Sequence, residues 1–124
     1  MTNNEKWLHV RPSLVRGYVK PGADGATLGL APAVGSEGVR SSFLWRVSMT
    51  APTSGEPWRM ATPWGEVKGK DAEALMRALL KMANTEAVRL VSLPVGERPE
   101  PQEDQPLAAA VLLAARFADN KANR

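Results

Sequence analysis

The sequence predicts an α+β domain: an antiparallel sheet of about four strands, one amphipathic helix packed on it, and a C-terminal helix after a proline-rich linker. Three observations carry this. Residues 42–50 alternate apolar and polar side chains with period two, and residues 71–84 repeat apolar side chains at helical spacing. Residues 94–106 hold four prolines, which end both patterns.

Taken in chain order, residues 14–20 read as a first strand, with Val15 and Val19 on one face and Arg16, Tyr18 and Lys20 on the other. Residues 21–38 contain five glycines and read as a mobile loop in which 27–30 pairs only briefly. The strongest strand is 42–50, with Phe43, Trp45, Val47 and Met49 expected to face the core and Arg46 the opposite side. After turn chemistry at 51–57, residues 58–62 resume the alternation, with Trp58 and Met60 against Arg59 and Ala61. An antiparallel hairpin of 42–50 with 58–62 is expected, followed by Pro63, Trp64 and a short strand at 66–68.

The helix at 71–84 gathers Ala72, Leu75, Met76, Leu79, Leu80 and Ala83 on one face and Glu73, Arg77, Lys81 and Asn84 opposite. Asp71 is placed to cap it, and Glu73 to Arg77 has the favourable i,i+4 order. The apolar run 87–93 is expected to return to the sheet. Residues 94–106 carry a net charge of −3 and read as an extended acidic linker. Beyond it, 107–119 form a helix, with Pro106 suited to its first position. The expected organisation is thus an α+β domain over 1–93, a linker over 94–106 and a helical segment over 107–124.

The composition limits the chemistry. Leu, Val and Phe make up 26 of 124 residues and Ile is absent, so the core must draw on Ala, Met and four Trp. With no Cys and a single His, His9, disulfides, thiolate chemistry and Cys- or His-based metal sites drop out. The acids at 97–104 lie in the linker, a poor place to hold paired carboxylates in catalytic geometry. The glycines at 65 and 69 have three residues between them where a phosphate loop needs four, and Asp71 replaces the magnesium-binding hydroxyl. No cofactor, metal or catalytic activity is expected, and the longest apolar run is too short to cross a membrane. The expectation is a small cytoplasmic protein.

The net charge is +3, and residues 1–70 alone carry +4. If the pleat points Val15, Val19, Trp45 and Trp58 inward, it gathers Arg16, Tyr18, Lys20, Arg46 and Arg59 on the outer face of one sheet. Trp64, Lys68 and Lys70 stand in the adjoining turn and strand. Arginines neutralise phosphates and aromatic rings stack bases, so this set reads as a nucleic-acid-binding face with single strands favoured. The alternative expectation is a protein-interaction module, an inhibitor, regulator or assembly subunit of a microbe or virus. It would dock a partner protein or a second copy through Leu112, Leu113 and Phe117 of the C-terminal helix.

Overall fold

The computed structural model describes residues 5–11, 13–33 and 43–122, with side chains through Asp119. Four strands, β1 (Lys6–Leu8), β2 (Val15–Pro21), β3 (Gly25–Pro32) and β4 (Trp45–Thr50), form an antiparallel meander in the order β1-β2-β3-β4. Strands β5 (Trp58–Thr62) and β6 (Gly65–Gly69) form a separate two-stranded sheet. Helix α1 (Ala72–Val91), a 3-10 turn (Val95–Glu97) and helix α2 (Pro106–Ala122) complete an α+β architecture.

The core lies on one face of the four-stranded sheet. Val15 and Val19 of β2 and Leu28 and Leu30 of β3 are at most 3% exposed, and α1 meets them with Leu75, Met76, Leu79, Leu80, Ala83 and Ala87. Each fully buried Leu or Val stabilises the fold by ~1.5–3 kcal/mol relative to exposure. Helix α2 lies against α1 and adds Leu107, Val111, Ala114 and Ala115 to the same cluster. Asp71 caps α1, accepting a hydrogen bond from the Ala74 amide at 2.8 Å, and Glu73 binds Arg77 at 3.0 Å and Lys6 at 2.9 Å.

Several expectations are corrected. The hairpin expected between 42–50 and 58–62 does not form: β4 pairs with β3, and β5 pairs with β6. Seven residues separate β4 from β5, whereas only Pro63 and Trp64 separate β5 from β6, so closing the second pair costs less chain entropy. The Thr62 hydroxyl donates to the Gly65 carbonyl at 2.5 Å and accepts the Trp64 amide at 3.0 Å, and Gly65 supplies a φ of +130°. The loop expected at 21–38 is instead a full strand over Gly25–Pro32. Its glycines serve close approach: a Cβ on Gly25 would lie 1.8 Å from the Met49 carbonyl oxygen. Residues 34–42, including the glycines at 35 and 38 and the expected strand start at Ser42, lie outside the described residues.

The run at 87–93 does not return to the sheet, because α1 continues to Val91 and buries Ala87 and Leu90 on its core face. Asn84, expected on the solvent side, is 2% exposed. Its side-chain oxygen accepts the amides of Leu14 and Val15 at 2.8 and 3.0 Å, and its nitrogen donates to the Val15 and Leu80 carbonyls at 2.9 and 3.2 Å. A fully satisfied amide of this kind fixes where β2 begins on α1, at a net ~1 kcal/mol per bond. The proline-rich segment is also tied down: Arg98 forms an ion pair with Asp119 of α2 and donates to the Leu93 carbonyl at 3.3 Å.

Candidate nucleic-acid interface

Register and pleat decide which residues meet on the outer face of the four-stranded sheet. In β2, Val15 and Val19 face the core, so Arg16, Tyr18 and Lys20 face outward. Trp7 of β1 stands opposite Tyr18, and Arg46 of β4 stands opposite Gly29, which itself faces Tyr18 across β3. Four of the expected residues, Arg16, Tyr18, Lys20 and Arg46, therefore share one surface.

Two residues that sequence reasoning did not place there complete it. Trp7 had no assignment, and Phe43 was expected in the core beside Trp45. The structure moves Phe43 to the outer face, for an identifiable reason. The Leu44 amide donates to the Leu30 carbonyl at 2.8 Å, while Trp45 is also registered opposite Leu30. Two residues thus oppose one, a β-bulge, and the alternation slips by one position before Trp45. Leu44 and Trp45 both pack against the core, and Phe43 falls on the other side. Its ring lies against Gly29, where a Cβ would stand 2.7 Å from it, so β3 needs glycine at this point.

The rings form one cluster. Trp7 and Phe43 are stacked with centroids 5.7 Å apart and planes 12° apart, and Tyr18 meets them at 5.0 Å from each. The Arg16 guanidinium sits 4.3 Å above the Trp7 ring, and that of Arg46 sits 5.2 Å from Phe43. Tyr18 is 7% exposed and serves as the floor, while Trp7 is 37% exposed at the surface. The Tyr18 phenol is held above its usual value, chiefly by burial and then by a hydrogen bond and charge from Glu5, against a smaller pull from Arg46. Among the described residues the cluster therefore carries three cations, Arg16, Lys20 and Arg46, and one carboxylate, Glu5.

The remaining expected residues lie elsewhere. Arg59 and Lys68 are paired across the β5-β6 hairpin, and Glu66 stands 4.0 Å from each. Lys70 is exposed at the entry to α1. Trp64 is half-buried against α1, beside a cavity of about 450 Å³ that it lines with Leu90, Pro99, Ala109 and Leu112. It packs on the helix and does not join the outer cluster.

The C-terminal set is divided as well. Leu112 is 7% exposed and belongs to the core, because α2 docks on α1 of its own chain; Leu113 is half-buried and Phe117 is 44% exposed. Among the described residues no group of His, Cys, Asp and Glu has the arrangement of a metal site, and no helix is long and apolar enough to cross a membrane.

Comparison with protein-family models, curated proteins and solved structures finds no match. The functional reading therefore rests on the geometry of the site alone.

Proposed function

We propose that this protein binds single-stranded nucleic acid on the outer face of its four-stranded sheet. The observation that supports this reading is the ladder Arg16, Trp7, Phe43, Arg46, in which two stacked rings are flanked by two guanidinium planes. An unpaired base stacks on an aromatic ring or on a guanidinium plane, and each such contact is worth ~1–3 kcal/mol. Arg16, Lys20 and Arg46 supply positive charge for the phosphates on the same surface. A duplex keeps its base faces stacked internally and cannot offer them to the cluster. Binding is weakly dependent on sequence, because every base has a face to stack.

Anisotropy titration of a labelled oligothymidylate across a salt series tests this. With three cations engaged, log K falls against log salt with a slope of about −2, and a duplex of equal length binds more weakly. Absence of binding at low salt overturns the proposal.

A further inference from the structure

Strand β4 ends the order of its sheet, and among the described residues no strand pairs with its far edge. Ala51 donates to the Asp24 carbonyl at 2.9 Å across the β3-β4 ladder. Alternation in an antiparallel ladder then turns the N–H and C=O groups of Trp45, Val47 and Met49 to β3, and those of Arg46, Ser48 and Thr50 to the open edge.

Edge strands are commonly protected by proline, lysine, extreme shortness or a bulge. In β4 the bulge and the one charged side chain stand at its start, at Leu44–Trp45 and Arg46, and the stretch Val47 to Thr50 beyond them has no proline, charge or bulge. The opposite edge, β1, has only three residues.

The core is also incomplete beside β4. Trp45, Val47 and Met49 are half-buried and line a cavity of about 440 Å³ with Met60, Pro106 and Leu107, whereas the matching residues of β3, Leu28 and Leu30, are 0% exposed.

We propose that β4 pairs antiparallel with β4 of a second copy of this chain, joining two sheets into one of eight strands. The strand is its own complement. A two-fold axis through Ser48 sets Ser48 opposite Ser48, Arg46 opposite Thr50 and Val47 opposite Met49. All three residues with outward backbone groups are then hydrogen-bonded, no like charges face each other, and the apolar row of the incoming strand arrives on the side of the cavity. The interface is isologous and closes on itself as a dimer. Both aromatic and arginine clusters then lie on the same side of the continuous sheet, with the two Arg46 side chains in the strands at the seam.

Sedimentation of the full chain over a concentration series, with three variants, tests the proposal. The wild type is expected at twice the 13.4 kDa monomer mass at high micromolar concentration. Ser48→Pro removes an edge donor that β3 does not use, so it should yield a monomer with unchanged circular dichroism. Thr50→Glu, facing Arg46 of the other copy, should tighten association roughly fivefold, and Thr50→Lys should weaken it by a similar factor. If Ser48→Pro disturbs folding, the opposite signs of the two Thr50 variants still decide. A wild type that stays monomeric, or a dimer indifferent to the Thr50 charge, overturns the proposal.

Discussion

The protein has two basic sheet faces, and they are built differently. On the four-stranded sheet, Arg16 and Arg46 lie over aromatic rings and share the surface with Lys20. On the β5-β6 hairpin, Arg59 and Lys68 flank Glu66, and among the described residues no ring contact to either is found. Both faces look alike in the sequence, as cations alternating with apolar residues. They differ in what lies under the charge. A guanidinium over a ring is held in place by the ring's negative face, so its charge is fixed at the surface beside the aromatic cluster. A cation beside a carboxylate 4.0 Å away is partly neutralised. Positive charge alone is therefore a poor guide to a binding face, and its support is the better one.

The largest predicted effect separates the two faces. Arg16→Glu with Arg46→Glu should lower oligonucleotide affinity by at least ~100-fold at low salt, while Arg59→Glu with Lys68→Glu should change it less than ~3-fold. Anisotropy titration of both double variants measures this, and equal losses would erase the distinction drawn between the faces.

Next in size is the aromatic contribution. Trp7→Ala should cost ~1–3 kcal/mol of binding, with a salt slope unchanged because no cation is lost.

The acids give a smaller contrast of opposite sign. Glu5→Gln removes a carboxylate beside Tyr18 and should raise affinity roughly two- to fivefold, whereas Glu66→Gln should leave it where it is.

The smallest effect concerns the floor of the cluster and is read in stability. The folded-state phenol pKa of Tyr18 is raised above 10.0. Its stabilising contribution is therefore complete below pH 10.0 and is lost as pH rises through the folded value. Denaturant midpoints should fall in that alkaline window, and Tyr18→Phe should flatten the fall.

The parts of this architecture legible in the sequence were those set by local pattern. The α1 periodicity over residues 75–83, the Asp71 cap, Pro106 at the start of α2 and the inward row of Val15 and Val19 all follow from spacing and propensity. What escaped depends on contacts distant in the chain. Phe43 turns outward because of a bulge against Leu30, which exists only once β3 and β4 pair. The glycines of β3 resemble a loop until Phe43 and Met49 are seen to occupy the space that side chains would need. Asn84 reads as a polar surface residue because its partners Leu14 and Val15 lie 70 and 69 positions away. Trp7 belongs to a strand of only three residues, too short to show alternation. A signal existed for Gly29 and Phe43 together, since an isolated glycine in an alternating segment marks close approach. It did not identify the partner.

The four tryptophans are placed differently: Trp45 and Trp58 pack against the core, Trp64 covers α1, and Trp7 stands exposed on the outer sheet face. Each indole N–H gives its own signal in a nitrogen–proton correlation spectrum of the unmodified protein. On titration with a single-stranded oligonucleotide, the account predicts that the Trp7 signal shifts first and furthest while the other three hold nearly still. Movement of Trp64 with Trp7 unmoved, or no movement at low salt, would contradict it.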